Sequence, residues 1–110
     1  MKFNLSLLDR ANLSSLLPVT GSIEEVKKVS AWQTELNMTD EEKEVEASFN
    51  QIHDKEEKDK SLNEWYNTKK EWEISEDLLM YLKSELESKE SAKAFSFNDP
   101  VELYEEILKS

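Results

Sequence analysis

Leu5, Leu8, Leu13, Leu16 and Leu17 fall on one helical stripe, with Asp9, Arg10 and Asn12 mostly on the other side, so the pattern predicts a first helix over Leu5–Leu17. Pro18 ends it, because the residue before a proline is pushed out of the helical region. Thr20-Gly21 makes the turn; Gly21 is the chain's only glycine and takes positive φ cheaply. Ser22-Ile23-Glu24-Glu25 is a capping box, in which Ser22 accepts from the third N–H and Glu25 reaches back. Ile23, Val26, Val29, Trp32 and Leu36 follow on one face and are expected to point inward. Residues 1–37 therefore read as a helical hairpin.

Thr39-Asp40-Glu41-Glu42 is a second capping box. Beyond it the pattern supports two readings. Val45, Phe49 and Ile52 fit a helix, whereas Val45, Ala47 and Phe49 fit a strand by alternation. His53–Lys60 holds no apolar residue and is expected to lie in water, with Asp54–Lys58 and Glu56–Lys60 as i,i+4 pairs if it is helical. Leu62, Trp65, Tyr66 and Lys69 keep helical spacing, but Trp72 and Ile74 alternate with Glu71 and Glu73 as in a short strand. A hairpin between 43–50 and 62–74, turning at Asn67-Thr68, stays open beside the helical reading of residues 38–74.

Ser75-Glu76-Asp77 opens a clear helix, with Ser75 as cap and two acids at the positive end of the dipole. Leu78, Leu79, Leu82 and Leu86 form its buried stripe. Asp99-Pro100-Val101-Glu102 starts a last helix, with Asp99 as cap and Pro at the first position. Val101, Tyr104, Ile107 and Leu108 are expected to face inward, and Phe95 and Phe97 to plug the end of the core. The expected fold is one small, mainly α domain: the neutral hairpin 1–37, the charged segment 38–74 and the C-terminal helices 75–110. An α+β variant carries one short β-hairpin in the middle.

Charge changes this picture more than hydropathy does. The chain of 110 residues has 25 acidic and 14 basic side chains, a net charge of -11. Residues 1–37 set Lys2, Arg10, Lys27 and Lys28 against Asp9, Glu24, Glu25 and Glu35, so the whole surplus lies in 38–110. That surface repels nucleic acid and anionic membrane and attracts a basic partner. Leu, Ile, Val and Phe make up roughly a quarter of the residues, above the level at which a chain this charged stays disordered. No apolar stretch reaches the roughly 18 residues of a membrane span. Asp9, Arg10 and Asn12 also interrupt what would be the apolar region of a signal peptide, so cytoplasmic residence is expected.

The order of the segments resembles a loose group of small phage and prophage proteins. The resemblance rests on "LLPVTGS", "ELNMTDEE", "EWYNTKKEWEIS" and "EDLLMYLKSEL", and covers most of the chain in order. It implies a small β-hairpin between helical halves and a phage origin, and assigns no residue a function. The run His53–Lys60 departs from it.

Composition removes most chemistry. No cysteine means no disulfide, thiolate metal site or cysteine nucleophile, and one glycine cannot build a phosphate-cradling loop. His53 is the one side chain titrating near neutrality unperturbed, but it sits in the most polar stretch. Adjacent acids such as Glu41/Glu42 and Glu105/Glu106 do not face one another on a helix. The stretch from Asp54 lacks the glycine of a calcium loop. No catalytic, cofactor-binding or metal-binding residue is therefore expected. The leading expectation is an acidic, non-enzymatic protein-binding module, in a phage setting a modulator or inhibitor of a host (defence) protein. Its candidate contact residues are Asp40, Glu41, Glu44, Trp65, Tyr66, Glu71, Trp72, Glu73, Glu76 and Asp77. Tryptophan and tyrosine are common interface anchors. The alternatives are self-association as a virion or assembly protein, through residues 1–37, and mimicry of DNA by Asp40, Glu41, Glu44, Glu71, Glu73, Glu76 and Asp77. Against mimicry, lysines interrupt these acids. A small ligand held in an oligomer pocket is the remaining alternative.

Overall fold

The computed structural model describes residues 1–110. Its first element is a strand. In β1 (Lys2–Leu5), Phe3 and Leu5 are buried while Lys2 and Asn4 are exposed, the period of a half-covered strand. Ser6 then caps α1 (Leu7–Ser14), its hydroxyl accepting from the Asp9 N–H while Asp9 reaches back to the Ser6 N–H. The single helix expected over Leu5–Leu17 is thus a strand, a capping box and a shorter helix. Leu16 and Leu17 wind on in a tight turn before Pro18.

α2 (Ile23–Leu36) and α3 (Asp40–Ser48) start at the two capping boxes read from the sequence, on Ser22 and Thr39. Gly21 does not take positive φ. A side chain there would lie 3.0 Å from the Glu25 Cβ, so the glycine makes room for the capping glutamate. A 3-10 turn (Phe49–Gln51) follows α3. α4 (Lys55–Asn67) then absorbs most of the charged run, capped by Asp54.

β2 (Lys70–Glu73) is the strand expected around Trp72, but its partner is β1. The two pair antiparallel, Phe3 opposite Trp72 and Leu5 opposite Lys70, and mutual hydrogen bonds between Met1 and Ile74 extend the ladder. Residues 43–50 lie in α3 and the 3-10 turn, so the hairpin of 43–50 with 62–74 does not form. The fold is mainly α with one small two-stranded sheet.

α5 (Glu76–Ala92) and α6 (Val101–Lys109) pack on each other. Leu78, Leu79, Leu82 and Leu86 are buried along α5 as expected. Ser75 stands at its N-cap, but the hydroxyl donates to Glu35 at 2.8 Å instead of capping. Pro100, not Asp99, is the N-cap of α6; Asp99 accepts from the Ser96 N–H at 2.7 Å. The inner face of α6 is Leu103, Tyr104 and Ile107, with Leu108 half-buried and Val101 exposed. Phe95 packs on Tyr104, ring centres 5.8 Å apart, whereas Phe97 lies wholly in solvent rather than plugging the core.

Fourteen buried apolar side chains from β1, α1, the turn after it, the end of α2, β2's exit, α5 and α6 form one core. Two further expectations about it fail. Leu8 is exposed while Arg10 is buried, and Ile23 and Val26 on α2 face solvent. A core this small makes each member costly to lose. We predict that Leu82→Ala destabilises the protein by about 2–5 kcal/mol, while Phe97→Ala changes stability by less than about 0.5 kcal/mol, read by urea denaturation. Equal losses would contradict this placement of the core.

Candidate functional site

The most unusual side chain is the chain's only arginine. Arg10 projects from α1 and is 1% exposed. One terminal nitrogen donates to Glu42 Oε2 at 2.6 Å, and the other reaches the Asn37 carbonyl at 3.5 Å. The guanidinium carbon lies 3.8 Å from the centre of the Trp72 ring, a cation on an aromatic face. Its Nε–H has no hydrogen-bond partner. An unpaired guanidinium could not stay there, and the planar group suits this combination of stacking and charge pairing better than a lysine would.

Glu42 serves two purposes. As the third residue of its capping box it accepts from the Thr39 N–H at 2.9 Å through Oε1. Oε2 takes Arg10 and, at 2.9 Å, Lys70. Burial pushes its carboxyl up. Hydrogen bonds from Arg10, the Thr39 N–H and Lys70, with the charge of Arg10, outweigh this and hold it at about 2. It is an anion throughout the physiological range and not a proton donor. Trp72 Nε1 donates to the Glu35 carbonyl at 3.1 Å, and the Glu35 carboxylate takes both the N–H and the hydroxyl of Ser75. One junction thereby joins α1, the end of α2, α3, β2 and the head of α5.

Two hollows open above it, on either side of Leu7. One, of about 230 Å³, is lined by Leu5, Leu7, Glu41, Glu42, Val45, Trp65, Thr68 and Lys70. The other, of about 450 Å³, runs between α1, the α2–α3 link and Tyr66, over Leu8, Ala11, Leu36 and Met38. Trp65 packs between Phe49 and Tyr66, with ring centres 5.6 and 5.3 Å away. The Tyr66 hydroxyl donates to Glu46, and that bond, followed by burial, raises its pKa. Leu7 lines both hollows, so the two are neighbours; this cleft region carries apolar and aromatic side chains, with α3 carboxylates on the side of the first hollow.

The sequence-derived contact residues divide in this frame. Glu41 and Trp65 line one hollow and Tyr66 the other, and Asp40 and Glu44 are exposed on the same helix as Glu41. Glu71 and Glu73 lie on the solvent face of β2, paired with Lys2 at 2.9 Å and the Met1 amine at 3.3 Å. Trp72 is on the opposite face, under Arg10, as part of the framework. Glu76 is exposed, and Asp77 accepts from Trp32 Nε1 at 3.1 Å, a bond that lowers its pKa. His53 is exposed ahead of α4. No three acidic or histidine side chains converge in an arrangement able to hold a metal ion. No helix is long and apolar enough to cross a membrane.

Comparison with protein-family models, curated proteins and solved structures finds no match to this chain. The cleft therefore has to be read from its own residues. Leu7, Leu8, Val45, Met38, Arg10 and Glu42 were missed by the sequence reading. The available signal was the solitary arginine among so many lysines, since arginine is the usual choice for a buried ion pair.

The depressed carboxyl fixes a pH dependence. Its folded value is about 2 against an ordinary 4.5, so its stabilisation is complete above the ordinary value and lost as pH falls through the folded one. We predict that the stability gap between the wild type and Glu42→Gln, read by urea denaturation, narrows by roughly 2–3 kcal/mol from about pH 6 to about pH 2. A gap independent of pH would contradict the ion pair.

Proposed function

We propose that this protein is a non-enzymatic binding module whose cleft receives a basic, amphipathic segment of another protein. The observation that carries the reading is the convergence of Glu41 and Trp65 on one hollow, with Asp40 and Glu44 beside them. Leu8 and Val45 remain exposed at 48% and 43%, so an entering apolar side chain gains contacts the folded chain leaves unmade. The carboxylates favour Lys or Arg flanking that side chain, and the net charge of -11 speeds its approach. The paired state of Glu42 and the exposure of His53 give acid–base chemistry no placed group. The resemblance to small phage proteins supports a host protein, a defence component included, as the partner, met in the host cytoplasm and modulated or inhibited by occupancy.

A labelled helix-forming Lys/Leu peptide tests the reading by fluorescence anisotropy. It is expected to bind at low ionic strength, more weakly at high, and more tightly than a Glu/Leu counterpart. Glu41→Lys with Glu44→Lys should weaken binding about tenfold. Leu8→Ser with Val45→Ser, which leaves the charge unchanged, should weaken it as well. Glu87→Lys with Glu90→Lys on α5, the same change in net charge, should stay within about twofold. Equal weakening by the two charge variants would show that total charge, not the cleft, binds the peptide, and would overturn the proposal.

A further inference from the structure

Two cations converge on one carboxylate oxygen in the wall of the first hollow. Glu42 Oε2 accepts from Arg10 at 2.6 Å and from Lys70 at 2.9 Å. The two are not equivalent. Arg10 is 1% exposed, so its charge requires a counter-ion, and Glu42 is the carboxylate that supplies it. The Lys70 side chain is 50% exposed, and its ammonium is solvated with or without Glu42. Arg10 and Glu42 cancel each other. Lys70 then remains as one positive charge in excess, on a side chain that lines the hollow.

Glu41 supplies the opposite charge. It lines the same hollow, is exposed, and makes no ion pair within the chain. The lining therefore offers one free carboxylate and one surplus ammonium around the apolar side chains of Leu7, Val45 and Trp65. A segment carrying only Lys and Arg satisfies Glu41 but brings a like charge to Lys70. Charges placed to match across an interface fix register and suppress wrong partners, and like charges set together cost affinity. The neighbouring Lys69 takes no part in this. It lies 3.8 Å from Asp9 and does not line the hollow.

We propose that Lys70 is a specificity-determining residue of the cleft: the segment received there carries one acidic residue among its basic ones, the acid meeting Lys70 and a Lys or Arg meeting Glu41. This rests on the reading of the cleft as a site for a basic, amphipathic segment and narrows it. The net charge of the chain draws in any basic segment, whereas the pair of opposite charges in the hollow selects among them. Because Lys70 is half in water, the selection is modest for a single peptide position.

The test is the same anisotropy assay, read as a ratio. The Lys/Leu peptide is compared with a series in which each lysine in turn is replaced by glutamate, and the ratio of dissociation constants is taken for the best-tolerated replacement. Lys70→Met is expected to shift that ratio about three- to fivefold toward the all-lysine peptide. Glu41→Gln, at an exposed helix position, should shift it the opposite way by a similar factor. Lys70→Arg keeps the charge and should keep the wild-type ratio. Lys69→Met, the same change in net charge outside the hollow, should leave the ratio within about 1.5-fold. If the wild type binds the peptides but Lys70→Met leaves the ratio unmoved, or Lys69→Met moves it as far, the role given to Lys70 is wrong while the cleft reading stands. If no peptide binds the wild type, the cleft reading fails and the role of Lys70 falls with it.

Discussion

A guanidinium removed from water is the constraint on which the rest of this molecule depends. Arg10 is all but inaccessible, and its charge is tolerable only because Glu42 meets it at 2.6 Å and the face of Trp72 lies beneath it. Each partner comes from a different part of the chain, so the arginine is satisfied only once α1, α3 and β2 are all in place. The core below it, mostly leucine with Phe3 and Tyr104, is interchangeable with other apolar side chains of similar volume. The junction is not, since removing any one partner strands a buried charge or opens the aromatic face to water. That requirement favours one arrangement of a chain with so little apolar surface to bury.

Where the junction sits also explains the cleft. Leu7 is held between the two hollows because Arg10, one turn along α1, is anchored beneath. Glu41 points into the cleft because its neighbour Glu42 is committed to Thr39, Arg10 and Lys70. The capping box thus orients two carboxylates at once. One is consumed by the framework, and the other is left for a partner. Glu71 and Glu73 on the solvent face of β2, paired with Lys2 and the Met1 amine, have no such apolar companion.

What could be read from the sequence was local. The capping boxes at Ser22 and Thr39 involve residues three apart, and the α5 stripe repeats over several turns, so pattern alone located both. The strand Lys2–Leu5 was hidden because its partner lies nearly seventy residues away in sequence and because Leu5 also fits the helical stripe. The box Ser6 to Asp9 was the missed sign that a helix begins only at Leu7. Periodicity correctly gave α2 an apolar face, but a face says nothing of what covers it, so Ile23 and Val26 were assigned to a core that does not reach them. α6 was displaced in the same way, Leu103 taking the buried place given to Val101. For the candidate site, Glu41, Trp65 and Tyr66 were named for charge and aromatic character. Their placement, Glu41 and Trp65 on one hollow and Tyr66 on its neighbour, depends on the Arg10 junction, which no local pattern reveals.

A double-mutant cycle between Arg10→Met and Glu42→Gln measures the central interaction most directly, because Gln keeps the capping geometry while removing the charge. If the junction holds the fold as described, the coupling between the two positions, read from urea denaturation of the four proteins, is at least about 1.5 kcal/mol. A coupling within about 0.5 kcal/mol, the size found for solvent-exposed pairs, would contradict it.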